Sequence, residues 1–197
     1  MGIIPPTING YNYLEVVSTL QKAIRRGDEH NALFFSTEVI LSGKDEALWR
    51  RLKVITSEDI GLATLSAPAI IESLHSAYKE AKKQKKDSKP ERLMIMHAVI
   101  FLCRCKKSRL VDWIVNAYFP NHGENLLPIP DYAFDMHTSK GRKLGRDLKH
   151  FVQEGALLKN HTKLPGEDHY RNKAIQELEK KKTSSMDKQS SINFKNG

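Results

Sequence analysis

From residue 13 to residue 119, apolar side chains return every three or four positions, and hardly any stretch shows the strict alternation of a strand. That periodicity confines the segment to helices packed on one another, and its interruptions mark where each helix stops. Leu14, Val17, Leu20 and Ile24, widened by Val16 and Ala23, form the first stripe. Gly27 ends it behind Arg25 and Arg26, whose charges suit a helix C-terminus. Asp28 is placed to cap a second helix through Ala32, Phe35, Val39 and Ile40, which Gly43 stops. A third carries Leu48, Leu52 and Ile55, with Trp49 beside them. Ser66 caps a fourth, with Pro68 in its first turn, where a missing N–H costs little. Ile70, Ile71, Leu74, Ala77 and Tyr78 follow. Ser88 and Glu91 stand at capping-box spacing before a fifth, bearing Leu93, Met96, His97, Ile100 and Phe101. Ser108 opens the sixth, "RLVDWIVNAYF", which Pro120 closes. Short connections between helices predict an all-α helical bundle.

The pattern changes at residue 120. The stretch "PNHGENLLPIPDYAFDMHTSKGRKLGR" is rich in Pro, Gly and polar residues and reads as an irregular, loop-rich segment with short helical pieces, followed by one more helix in "DLKHFVQEGALL". The expected organisation is an extended arm over 1–12 and an all-α domain over 13–165. An exposed basic helix over 166–182 and a tail over 183–197, too polar to bury enough surface to order itself, complete it.

Composition excludes several classes. Hydrophobic residues make up 40% of the 197, which fits a globular core, and no apolar run approaches the ~18 residues of a membrane span. "MGIIPPTINGYNYLEVV" lacks the basic and apolar regions of a signal peptide, and Pro5 and Pro6 sit badly with myristoylation at Gly2. Cys103 and Cys105 are the only cysteines, too close for a disulfide and without a second pair for zinc. The expectation is a cytoplasmic chain with reduced thiols and no cofactor. No G-x-S-x-G elbow is present, and no cysteine has the adjacent histidine and acid that nucleophilic catalysis needs. His97 reads as a core histidine. The expectation is a protein that is not an enzyme.

Two clusters remain. At the end of the third helix, Ser57, Glu58 and Asp59 crowd a place where the macrodipole disfavours acids, just before Gly61. Something outside the helix therefore uses them, a site, an arginine of a neighbouring helix or a second subunit, and Arg50 and Arg51, one to two turns back, are candidate partners as well. Further on, Lys140, Arg142, Lys143, Arg146 and Lys149 lie close together, with two glycines that permit backbone approach to phosphates and with Tyr132 and Phe134 nearby. The formal net charge of +9 is compatible with a polyanionic partner. A basic run over 79–89 adds to it. Asp131, Asp135 and His137 form the most enzyme-like group: on a helix the two acids share a face and could hold Mg²⁺ or Mn²⁺, though two carboxylates rarely make a full site. The plain alternative is that Asp131 caps a helix and Asp135 pairs with Arg142 or Lys140.

The order of helices, with Gln21 and the run Ser57, Glu58, Asp59, Ile60, Gly61 and Leu62, resembles the region after the ATPase core in the RarA/MgsA (Werner-helicase-interacting protein) family of clamp-loader-like AAA+ ATPases. "ERLMIMHAVIFLCRCKKS" resembles the next helix of that family, and the resemblance covers residues 13 to 119. It implies the helical collar that holds subunits together, with Arg50, Arg51, Ser57, Glu58, Asp59 and Gly61 as structural or interface residues. Two departures stand out. The sequence has no G-x-x-x-x-G-K-[ST], so hydrolysis by the family's mechanism is not expected, and the segment from 131 on differs from the family's usual close. The resemblance implies a homo-oligomer, a tetramer being one form, with DNA or a separate AAA+ ATPase as partner and no membrane. The leading expectation is a non-enzymatic DNA-associated oligomerisation protein of replication, recombination or repair. The alternatives are a structural adaptor for an acidic protein and a small metal-dependent enzyme.

Overall fold

The computed structural model describes residues 5–84, 87–120, 122–124 and 126–193, with side chains as far as residue 180. The chain divides into two compact units, residues 1–125 and 126–197. The break therefore falls where the helical periodicity ends, and the boundary drawn at 165 lies inside the second unit.

The first unit is all helix: α1 Tyr13–Arg26, α2 Glu29–Leu41, α3 Asp45–Ile55, α4 Ala67–Lys83, α5 Glu91–Arg104 and α6 Leu110–Tyr118. Asn12 accepts from the N–H groups of Leu14 and Glu15, and Asp28 accepts from Asn31 N–H, so α1 and α2 start where a short polar side chain satisfies their free donors. Gly27 takes the left-handed conformation between them. Two expected caps differ. Ser66 makes no side-chain cap bond, and Pro90 rather than Ser88 stands before α5, again with no side-chain cap. Both helices are held by packing, which outweighs a cap of about 1 kcal/mol.

Val16, Leu20 and Ile24 of α1, Val39 of α2, Leu48, Trp49, Leu52 and Ile55 of α3, Ile71 and Tyr78 of α4, and Ile95, Val99 and Leu102 of α5 form one core. The α5 face is a correction. Leu93 and His97 point to solvent, because α5 is apolar almost all round and its true stripe runs one step away, through Ile95, Ala98, Val99, Leu102 and Cys103. The Cys103 thiol is pushed up to about 11 by burial, so it stays protonated at neutral pH.

The buried histidine is His75. Its ring stacks on Trp49, centroids 4.8 Å apart, and its Nε2 lies 3.3 Å from Glu46 Oε2. Below them Tyr78 and Lys82 both donate to Asp45, and burial with that carboxylate pushes the Tyr78 hydroxyl up to about 12. Burial first, then Lys53 and Lys79, hold His75 below its ordinary 6.5 against the pull of Glu46. The unfolded chain therefore takes up the proton first as pH falls. This contribution is complete above pH ~6.5 and is lost as pH drops toward the folded pKa, at up to ~1.4 kcal/mol for each pH unit. Urea unfolding at pH 5 and pH 7 checks it: the stability difference should shrink in His75→Gln.

The described part of the arm is not fully extended. Residues 7–11 close a turn, with Thr7 N–H donating to the Tyr11 carbonyl at 2.9 Å, and the turn is clasped to α2. Asn9 donates from its backbone N–H (2.9 Å) and its side-chain amide (2.6 Å) to Glu38, and Ile8 N–H donates to Ser42 Oγ at 3.0 Å. Tyr11 sets its ring edge-on to Phe34 and Phe35.

The second unit has a single 3-10 turn at Asp131–Ala133, short helices α7 Ser139–Lys143 and α8 Leu148–His150, a wide turn at Phe151–Gly155, and α9 Glu167–Asn193. The helix expected through "DLKHFVQEGALL" thus widens after one turn, and α9 continues through much of the segment expected to stay unordered. Residues 194–197 lie outside the described residues. Among the residues whose side chains are described, the one buried position of this unit is Gly141. A Cβ there would stand 1.9 Å from the Asp135 carbonyl oxygen, so only glycine allows α7 to close on that turn.

Candidate functional site

After Ile55 the chain widens into a five-residue π turn, Thr56–Ile60, followed by a 3-10 turn at Gly61–Ala63. The extra width turns Asp59 fully inward. There Gln21 Nε2 donates to its Oδ2 at 3.0 Å and Arg25 Nε donates to its Oδ1 at 2.5 Å. Gln21 and Arg25 lie one turn apart on the same face of α1, so one helix supplies both donors. Arg25 Nη2 also reaches Glu58 at 3.0 Å, and the hydrogen bond to Asp59 raises the guanidinium above its usual pKa. From the other side comes Arg109, its Nε 3.8 Å from Asp59 and its Nη2 3.6 Å from Glu58 and 2.5 Å from Asp112.

Two cations on separate elements thus hold two acids, and the crowding of Glu58 and Asp59 at the end of the third helix is explained. The partners are arginines of neighbouring elements rather than the named candidates on the same helix. Arg50 is exposed, and Arg51 reaches only Gln21 Oε1, at 3.2 Å. Ser57 is exposed too. Arg25 was assigned to the C-terminus of its own helix, and nothing in the spacing joins residue 25 or 109 to residue 59. The backbone completes the joint: Ser108 N–H donates to the carbonyls of Asp59 (3.0 Å) and Ile60 (3.2 Å). Gly61, at φ +52°, lies so close to Ser108 that a Cβ would stand 2.7 Å from its carbonyl oxygen. Asp59 is thus held on both oxygens, by the Gln21 amide and the Arg25 guanidinium, and Glu58 on one, by Arg25 and Arg109, so the two carboxylates tie the turn to its neighbours.

The joint carries α6. None of the nine residues of α6 is buried, although it is the most apolar helix of the first unit. Trp113, Ile114, Val115, Tyr118 and the following Phe119 are exposed, Trp113 by 61% and Phe119 by 76%. An apolar helix held at one end by an ion cluster and bare on its outer face is unusual for a chain that acts alone.

The basic cluster is partly spent on structure. Arg146 forks onto both carboxylate oxygens of Asp131 (2.7 and 2.6 Å) and donates to the Asp131 and Phe134 carbonyls. Arg142 donates to the carbonyls of Met136 and His137. Lys140 lies 4.0 Å from the centre of the Phe134 ring. Lys143 and Lys149 are exposed or half-exposed, and Lys149 joins Arg142, Arg146 and Met136 around an open cleft of about 520 Å³.

The enzyme-like group comes apart. The turn at Asp131–Ala133 ends before Asp135, so the two acids share no helix face. Asp131 belongs to Arg146, and Asp135 accepts from His137 N–H at 2.9 Å with His137 Nδ1 at 3.2 Å, contacts that hold its carboxyl below the usual range. The expected pairing of Asp135 with Arg142 or Lys140 is replaced by this turn. Among the described residues no group of three or more His, Cys, Asp or Glu side chains is placed to hold a metal.

Fold and site together define an all-α domain in which one fully buried aspartate, Asp59, anchors a partly exposed ion cluster. The chain belongs to the family described as MgsA AAA+ ATPase C terminal, whose model matches residues 27–189. It is 30% identical over 143 residues to the Replication-associated recombination protein A of Bacillus subtilis, an alignment covering 71% of this chain and 32% of that protein. It is 33% identical over 141 residues to an AAA domain-containing protein of Mycobacterium tuberculosis, covering 70% of this chain and 30% of that one. The chain spans about a third of the length of the curated relatives it matches. No described helix is long and apolar enough to cross a membrane.

Proposed function

We propose that this chain is a non-enzymatic oligomerisation module that works beside DNA in replication-associated recombination. The observation that carries the reading is the bare apolar face of α6. Side chains such as Trp113, Tyr118 and Phe119 cost free energy in water and repay it when a like surface covers them. A second copy of the chain supplies that surface, in keeping with the collar role that the family resemblance implies. A relative named for replication-associated recombination supports the setting.

DNA contact rests on the second unit. Arg142 and Arg146 shape the 131–149 turn, which leaves Lys140, Lys143 and Lys149 to meet phosphates and the 69% exposed Tyr132 to stack. A second reading, an adaptor for a separately supplied AAA+ ATPase, draws on the relatives' AAA character and the lack of a phosphate-binding motif in these residues. Fluorescence anisotropy with DNA across a salt series, beside sedimentation velocity, separates the two. The DNA reading expects binding that weakens steeply with salt and loses about 0.9 of log–log slope for each lysine changed to alanine. Assembly without binding at low salt would favour the adaptor. A monomer at all concentrations would defeat the oligomer reading.

A further inference from the structure

We infer that Arg109 is the positioning residue of the assembly face: it fixes the pose of α6 by tying its first turn to Glu58 and Asp59 while its guanidinium covers the ring of Trp113. The inference rests on the reading of α6 as the assembly surface. Three observations lead to it. With no buried residue, α6 lacks the apolar seat that fixes the other helices of its unit, and its inward positions, Val111 and Asp112, are only half-buried. Its polar attachment lies at one end, in the Ser108 backbone bonds and in the ion contacts of Arg109 with Glu58 (3.6 Å) and Asp59 (3.8 Å), while a 2.5 Å bond to Asp112 fixes the guanidinium to the first turn of α6 itself. The same guanidinium lies 5.0 Å from the centre of the Trp113 ring, a cation–π contact.

One side chain therefore reaches both the acid pair, buried Asp59 and half-buried Glu58, and the most bulky residue of the exposed face. Without it, α6 would still be joined through Ser108, but it would swing about that joint. A swinging helix presents its apolar residues in many poses and must be ordered at each association, which weakens binding. Asp59 would keep Gln21 and Arg25 as donors, so the core would stand. The pose of α6 is therefore tested at Arg109 rather than at Asp59, whose removal would also disturb α1.

The experiment compares the full chain with Arg109→Met, which keeps bulk and removes the charge, and with Trp113→Glu, which spoils the face and leaves the acid pair alone. Amide hydrogen exchange reads the pose, and sedimentation velocity reads association. In Arg109→Met, amides of residues 110–119 should exchange at least about tenfold faster, those of α1, α3 and α5 should not change, and association should weaken about tenfold or more. Trp113→Glu should weaken association while the α6 amides keep a clear advantage over those of Arg109→Met. Unchanged α6 exchange in Arg109→Met would overturn the inference, as would faster exchange with undiminished association. A full chain that never associates would defeat the assembly reading alone, and the exchange comparison would still decide whether Arg109 holds the helix.

Discussion

Urea unfolding of Asp59→Ala should show a loss of about 3 kcal/mol in the first unit, the lower end of what removing one partner of a buried ion pair costs. Asp59 is fully buried, and its loss leaves the Gln21 amide and the Arg25 Nε without an acceptor, while Arg25 Nη2 keeps Glu58. Arg25 limits the damage, since its side chain is 28% exposed and can turn partly to water. Gln21, buried on α1, cannot. Asp59→Asn should cost less than Asp59→Ala, because an amide oxygen still accepts from Arg25. Should alanine and asparagine both leave the urea midpoint within error of the unsubstituted chain, the ion cluster would not be what joins α1 to the turn at 56–60.

Trp49→Ala should destabilise by about 3–5 kcal/mol, the range for deleting a large buried aromatic side chain. The ring is fully buried in α3, stacked on His75 and 5.5 Å from Tyr78. Its removal opens a cavity between α3 and α4, and His75 loses the ring that shields it. The fall should therefore be smaller at pH 5 than at pH 7, because a loosened His75 also charges in the folded variant, which escapes the acid penalty that burial imposes on the unsubstituted chain. Thermal unfolding at both values tests this. A loss below about 1 kcal/mol would mean that the neighbours collapse into the space.

Helix order, type and most boundaries of the first unit are legible in the sequence because each is written locally. Asn12, Asp28, Gly27 and Pro68 act on neighbours within a turn. Faces are less legible where a helix is apolar all round. The stripe of α5 was assigned to Leu93 and His97 because nothing polar marks its outer side, and only packing against α1, α2 and α4 selects Ile95, Val99 and Leu102. The acidic turn was recognisable as a violation of helix electrostatics. Its partners were not, since Arg25 and Arg109 lie 34 and 50 residues from Asp59 and meet it only through the tertiary fold. His75 and Glu38 are illegible for a related reason: each is a polar residue buried by contacts made elsewhere in the chain. In the second unit the difficulty is different. With Gly141 as its one buried described position, it is shaped by turns and side chain to carbonyl bonds, and hydrophobic periodicity carries no information about those.

The bareness of α6 has a consequence for how such a sequence can change over generations. Substitutions at exposed positions usually shift stability by no more than about 0.5 kcal/mol. Selection for a folded first unit therefore bears on α1 to α5 and on the turn at 56–60, and scarcely on residues 113–119. Those residues are free to drift in step with whatever surface they meet, so a lineage could exchange one partner for another without passing through an unfolded ancestor.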